Sequence, residues 1–285
     1  MLNWNGGKVI GPCIESLLAV RDPILRITVV DNGSTDSSAD DVAARYPGVR
    51  LLRNGENLLF AEGNNVGLRH AVASGGRFFL LLNNDTEVDP SFAAEMMAAF
   101  DEPGVGIVGP RIFYHDDPGR LWYGGGDFFP GLWLPRHRDV RKPAGEAKDR
   151  RGPTRWVTGC AMLVRKEVID DIGMLDPSYT IYCEDVDFCL RASRAGWKCY
   201  HVPAARVWHK VSSSSGGGFT PFKLENRIVS THRLFARFKP LWWRAALCPV
   251  FAAISIVLLA GLLATGRGAL FRGAARGFGR VIAGR

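Results

Sequence analysis

The sequence predicts a doubly wound α/β sheet, on three observations. Phe78 to Leu82 is an unbroken apolar run, preceded by Gly75-Gly76 and stopped by Asn83-Asn84-Asp85. That run is too short for an ordinary helix, and its lack of alternation fits a strand buried on both faces. Helical and strand patterns then alternate from Pro12 to Phe100, the order of βαβ units. Finally, the carboxylate-bearing turn at Asn83-Asn84-Asp85 falls at a strand's C-terminal end, where open α/β sheets bind ligands.

Taken in order, Pro12 to Val20 is read as a helix, with Ile14, Leu17 and Leu18 at core-facing spacing. Arg26 to Val30 is a β-branched strand ending on Asp31, and Asn32 to Asp36 is a turn cluster that supplies N-caps for a helix to about Tyr46. Val49 to Leu52 is a strand, and Asn57 to Gly67 leads into a helix ending near Gly75. Pro90 suits the first turn of a helix to Phe100. Strands are expected over Gly106 to His115, Leu121 to Phe129 and Trp156 to Val164. Between the last two, Pro135 to Pro153 is charged and short of large apolar residues, which predicts an exposed, mobile loop. A helix opens at Glu184-Asp185-Val186-Asp187 and ends at Gly196. Lys198 to Val202 and Arg206 to Trp208 are short strands ending on His209, and Ser212 to Gly218 has the make-up of a lid or linker.

The composition, 47% apolar and 22% charged over 285 residues, is that of a globular protein with a substantial core. Six cysteines form no CxxC pair, so reduced and mostly buried thiols are expected. The net charge of +8 is unevenly placed. Nine Lys or Arg and no acid lie from Arg233 to Arg285, which leaves residues 1–232 close to neutral. Basic residues flanking an apolar segment point to anionic lipid and away from nucleic acid. A division follows, with a near-neutral globular domain over 1–232 and a membrane-associating tail over 233–285.

Four polar stations fall at strand ends or helix starts: Asp31, Asp85, Glu184-Asp185 and His209. Singly, each has a structural explanation, such as an Asx-turn or a carboxylate favoured by a helix N-terminus. Asp85 with its neighbouring amides also suits a hard divalent cation that holds phosphate oxygens.

In the order VVDNGSTD, NLLFAEGNNVGL, LLNNDTEVDP, VTGCAMLVRKEV, EDVDFCLRASRAGW and VWHK, the chain resembles the inverting family-2 glycosyltransferases of the GT-A fold. The likeness is greatest to their rhamnosyltransferase-like and galactofuranosyltransferase-like branch and extends to about residue 240. The resemblance implies that Trp4 and Asp31 hold a nucleotide base, and that Asn64 and Asn65 border a nucleotide-sugar. It implies that Asn83, Asn84 and Asp85 replace the family's DxD, with Asp85 and His209 as ligands of Mg2+ or Mn2+. Asp185 matches the general base, and Glu184 stands beside it. One base opposite the leaving group suffices for inversion. Two departures stand out: Asn83 lacks the charge of the usual first Asp, and the first strand is reduced to Met1-Leu2. The second predicts that the biological start lies upstream of Met1. A non-catalytic partner protein with this fold, or a nucleotide-sugar hydrolase, is the alternative.

In the tail, Ala245 to Thr265 has no charge over 21 residues, enough to span a bilayer. Trp242 and Trp243 precede it as an interfacial belt would. Arg272, Arg276 and Arg280 then recur every four residues opposite an apolar set, a basic amphipathic pattern. Both flanks are basic, so a span and an in-plane helix are equally open. The expected site of action is the cytoplasmic face of the membrane, with a nucleotide-diphosphate sugar as donor and a lipid-linked or glycan acceptor.

Overall fold

The computed structural model describes residues 1–147, 150–211 and 220–284. The lid or linker expected over Ser212 to Gly218 therefore lies outside the described residues.

The N-terminal half is the parallel part of the sheet. Strands β1 (Leu2–Asn3), β2 (Thr28–Asp31) and β3 (Arg50–Arg53) pair in parallel in the order β1-β2-β3. Leu2 also bridges in parallel to Asn83, at the end of β4 (Phe78–Leu82), so the two residues of β1 occupy a central place. Helices cover both faces here. Ile10 and Ile14 of α1 (Ile10–Leu18) and Val42 of α2 (Ser38–Arg45) bury Val29 on one side. On the other side α3 (Leu59–Ala73) comes so close that a Cβ on Gly67 would lie 3.0 Å from Val30. Alternate residues of one strand thus face opposite helical layers, as period-two geometry requires.

Beyond β4 the sheet is mixed. After β5 (Thr86–Val88) and α4 (Phe92–Met97), the long β6 (Val105–Tyr114) carries the short β7 (Leu121–Tyr123) on its edge. β8 (Gly126–Phe128) pairs with β9 (Pro135–His137), and β10 (Gly152–Thr154) precedes β11 (Ala161–Arg165). β11 runs antiparallel to both β4 and β6, while β12 (Lys198–His209) lies parallel to β6 and antiparallel to β5 and β10. α5 (Lys166–Ile172) and α6 (Glu184–Arg194) separate β11 from β12.

Several local expectations are corrected. Trp156 makes only an isolated bridge to Gly126, Gly159-Cys160 is a turn, and β11 begins only at Ala161. Leu121 to Phe129 is two strands broken at Gly124-Gly125, because Gly125 takes a φ of +108° that other residues rarely adopt. The two expected short strands after Lys198 are one strand with a bulge between Val202 and Arg206. Pro135 to Pro153 is not a free loop, since it supplies β9 and the half-buried His137, which packs against Trp122. Five of the six cysteines are buried as expected, and Cys248 is exposed.

The C-terminal helices are α7 (Pro221–Phe238), α8 (Leu241–Ala264) and α9 (Gly268–Ile282). A boundary at 232/233 would cut α7 in its middle. Four of the tail's cations bond to acids or carbonyls of the protein, and Lys239 stands 3.8 Å over the Trp133 ring, so these five are not free for lipid headgroups. Arg233 donates to the Ser178 carbonyl, Arg237 pairs with Asp176 and Asp187 at 2.6 and 3.0 Å, and Arg276 and Arg280 pair with Glu225 at 2.8 and 3.2 Å.

Candidate active site

The β4–β5 turn is held from three directions. Asn83 donates its amide to the Cys160 carbonyl at 2.9 Å, and the Thr86 hydroxyl donates back to the Asn83 carbonyl at 2.8 Å. Asn84 Nδ2 donates to Asn3 Oδ1 at 2.9 Å. Asn3 Nδ2 lies 3.2 Å from Asp31 Oδ1 and 2.8 Å from Ser38 Oγ, so one fully buried amide ties the ends of β1, β2 and β4 together. A side chain on Gly6 would overlap both Asn3 and Asn84, which gives that glycine its steric reason.

The antiparallel pairing of β12 with β5 sets His209 opposite Thr86, and Lys210 donates its amide to the Asp85 carbonyl at 2.9 Å. That register brings His209 Nε2 to 3.1 Å from Asp85 Oδ1, with both side chains buried. Trp122 packs edge-on against His209 and His137, each at 4.5 Å between ring centres. Burial pushes His137 down to about 4 and keeps it neutral.

At the N-terminus of α6, Tyr182 and Cys183 take consecutive φ values of +70° and +66°. Two left-handed residues in a row are costly for side chains of this size, and here they turn Glu184 and Asp185 into the cleft. Asp185 Oδ2 accepts from the Gly159 amide at 2.9 Å and Oδ1 from the Val186 amide at 2.8 Å. Glu184 is buried, and its Oε2 has no hydrogen-bond partner among the described residues. Burial first, and the Asp185 charge second, push Glu184 up to about 8. Burial also raises Asp185, against the pull of its amide donors. At neutral pH the pair therefore holds a proton, centred on Glu184.

These stations share one cleft of about 1630 Å³. Asn83, Asn84, Asp85, His209, Glu184, Asp185 and the half-exposed Trp4 all line it. Three predicted residues do not. Asp31 is buried behind Asn3, and the next residue, Asn32, forms the wall. Asn64 donates to the Phe60 carbonyl within its own helix, at 2.9 Å. Asn65 Nδ2 donates to the Leu175 carbonyl at 2.9 Å, while its Oδ1 accepts from the Leu175 amide at 3.1 Å. Both atoms of the Asn65 amide and the nitrogen of Asn64 are thus bonded internally, and Asn57, Leu59 and Phe60 line the cleft from that segment instead. Arg136, Arg138, Lys223 and Arg227 add a basic wall that no single motif announced.

Residues 1–173 match the profile of glycosyl transferase family 2. The chain is 30% identical over 266 residues to the N-acetylglucosaminyl-diphospho-decaprenol L-rhamnosyltransferase of Mycobacterium tuberculosis, covering 83% of this chain and 84% of that protein. It is 27% identical over 240 residues to a low-salt glycan biosynthesis hexosyltransferase of Haloferax volcanii, covering 79% of this chain and 73% of the relative. Among solved structures, GalNAc-T7 with UDP, GalNAc and Mn2+ is similar at a TM-score of 0.63 and 17% identity, over 81% of this chain and 46% of that one. A mannosyltransferase from Pyrobaculum calidifontis in complex with GDP-Man and Mn2+ is similar at 0.61 and 17%, over 98% of this chain and 84% of that one.

Proposed function

The chain belongs to glycosyl transferase family 2 and is a glycosyltransferase, and from that premise we propose a metal-dependent, inverting transfer from a nucleotide-diphosphate sugar to a lipid-linked glycan acceptor at the cytoplasmic face of the cell membrane. Rhamnose is the first candidate for the sugar, because the Mycobacterium relative is named as a rhamnosyltransferase, and cell-envelope polysaccharide is the setting that the family resemblance implies. The observation that carries the reading is the cleft itself, where the Asp85–His209 pair and the Glu184–Asp185 carboxylates meet.

The residues present fit a divalent cation. A carboxylate oxygen and an imidazole nitrogen lie 3.1 Å apart and buried, and His209 Nδ1 has no partner among the described residues. Among the described residues no group of three or more His, Cys, Asp or Glu surrounds such an ion. Asp85 and His209 would hold it with donor phosphate oxygens and water, a donor set that suits Mg2+ or Mn2+. When bound, the cation neutralises charge developing on the departing diphosphate.

The protein's own part is positioning and proton transfer. Trp4 offers an accessible indole face to the nucleotide base, and Asn83 and Asn84 shape the floor beside the diphosphate. The basic wall raises the potential felt by the donor's negative charge. Asp185 takes the proton of the acceptor hydroxyl as that oxygen bonds to the anomeric carbon. The bond from that carbon to the diphosphate oxygen breaks, and its electron pair leaves with the nucleotide. Attack opposite the leaving group inverts the anomeric centre. The two amide donors fix the Asp185 carboxylate and favour its charged form, while Glu184 keeps the shared proton.

The test is a panel of nucleotide-sugars given to the full chain with Mg2+ or Mn2+, scoring nucleoside diphosphate release with and without a polyprenyl-diphosphate-linked sugar. Release that needs both acceptor and metal supports the proposal. Equal release without acceptor would make the protein a hydrolase, and release unaffected by chelator would remove the metal.

A further inference from the structure

α7 has two working faces. One lines the cleft through Phe222, Lys223, Arg227 and Thr231. The other receives α9 along a seam of glycines: a Cβ on Gly273 would lie 2.5 Å from the Pro221 carbonyl oxygen, and one on Gly277 would lie 2.9 Å from that of Glu225. The contacts advance together, 273 on 221 and 277 on 225, so α9 runs parallel to α7. Glu225, bonded to Arg276 and Arg280, locks this register. α7 is in turn fastened to the catalytic body, through Arg237 to Asp176 and Asp187 and through the Ser230 hydroxyl to the Ile181 carbonyl at 2.9 Å. α9 therefore belongs to the catalytic side of the molecule.

α8 makes the return path. Phe251 sits 5.3 Å from Phe235 between ring centres, and Leu262 packs with Leu224 and Ala274, so α8 runs antiparallel to α7 along its length. Its less exposed residues, Trp243, Arg244, Leu247, Phe251, Ser255, Leu258, Leu259 and Leu262, fall along one side of the helix. The rest of the helix is bare: Trp242, Val250, Ile254, Ile256, Val257 and Leu263 are exposed. Its most apolar window has a mean hydropathy of 2.6 and is only 6% buried.

We propose that α8 lies in the plane of one bilayer leaflet, its stripe against α7 and α9 and its bare face among the acyl chains, and that it does not cross the membrane. At about 36 Å for 24 residues it is long enough to span. A crossing, however, would carry α9 to the far side, separate the glycine seam and strip Glu225 of both arginines. The occupant is an anionic phospholipid surface. Arg244 stands at one end of the apolar segment and Arg267 and Arg272 at the other, with no acid between Arg233 and Arg285. α8 is apolar all round and has no polar face of its own, so α7 and α9 cover its stripe and acyl chains match the rest of its surface. It also brings the start of α7, where Phe222 and Lys223 reach the cleft, close to the lipid plane. That benefit rests on the lipid-linked acceptor proposed above, whereas the docking geometry does not.

The test uses the full chain added from outside to sealed vesicles of phosphatidylethanolamine and phosphatidylglycerol, probed with a membrane-impermeant maleimide. Native Cys248, the exposed cysteine of α8, is expected to react about tenfold more slowly once vesicles are present. In a Cys248→Ser background, Ala283→Cys is expected to react on intact vesicles as fully as in detergent. Ala283→Cys labelling only after detergent would mean a crossing and would overturn the proposal. So would Cys248 reactivity indifferent to vesicles. Protection of Cys248 without lipid, growing with protein concentration, would instead assign the bare face to a second copy of the chain. None of these outcomes alters acceptor-dependent nucleotide release, so the transferase reading stands or falls separately.

Discussion

Glu184 makes the stability of this fold depend on pH in a way that can be worked out from the structure. Its carboxyl is buried, Oε2 is unpartnered, and burial together with the Asp185 charge lifts it from 4.5 to about 8. Between those values the folded chain holds a proton that the unfolded chain has lost. Unfolding free energy therefore falls as pH rises, by up to ~1.4 kcal/mol per unit. The part of this linkage that Glu184 contributes is complete below about pH 4.5, and by pH 7 roughly 3 kcal/mol of it has gone. The raised Asp185 pulls in the same direction, so the slope belongs to the pair. Glu184→Gln keeps the shape and removes the titration. The assay is urea unfolding of wild type and variant in one detergent at several pH values from about 5 to 8. The variant is expected to lose most of the downward slope, so the difference between the curves closes or reverses as pH rises. Parallel curves would show that Glu184 ionises normally in the folded state and would refute the burial argument.

Other expectations follow from the same geometry. Asp85→Ala and His209→Ala should each weaken divalent-metal and nucleotide-diphosphate binding by calorimetry, on the order of tenfold or more; wild-type binding by His209→Ala would return that residue to a structural role. Asn65→Ala should cost stability, about 1–3 kcal/mol for the two lost bonds to Leu175, with donor affinity unchanged; a selective loss of donor binding would restore it to the site. Gly33→Ala should destabilise by more than about 1 kcal/mol, because Gly33 has a φ of +72° and its Cβ would lie 2.7 Å from the Glu56 carbonyl carbon. An unchanged melting temperature would contradict that.

The sequence was most legible where local pattern and position carry the same message. The buried β4 run, its polar stop and the alternating N-terminal elements all appear where expected, because a strand apolar on both faces has few other places to go. The polarity of β11 was hidden, since an apolar strand reads alike in either direction and only its pairings with β4 and β6 fix it. Asn64 and Asn65 show a different limit: an amide in a motif has the same letter whether it faces a ligand or a neighbour's backbone. Asn3 went unnoticed for the opposite reason, as one residue in a two-residue strand has no periodicity, yet it joins Asn84 to Asp31. The partners of the tail's arginines were not legible, because net charge counts residues without their partners, and Asp176, Asp187 and Glu225 are remote in sequence from the tail cations they bind.

The claim at the centre of this account is that Asp185 removes the acceptor's proton while Asp85 and His209 hold the donor's metal-bound diphosphate. The most direct measurement is the single-turnover rate of Asp185→Asn against wild type, with both saturated in the same nucleotide-sugar and the same divalent metal. The single amide oxygen can keep one of the Gly159 and Val186 hydrogen bonds, while the NH2 faces the other donor, and the side chain cannot take a proton at neutral pH. The account predicts donor affinity within a few fold of wild type and a transfer rate lower by about 10²–10⁴-fold. A variant that binds donor normally and keeps most of its turnover would contradict it and move the base to another carboxylate.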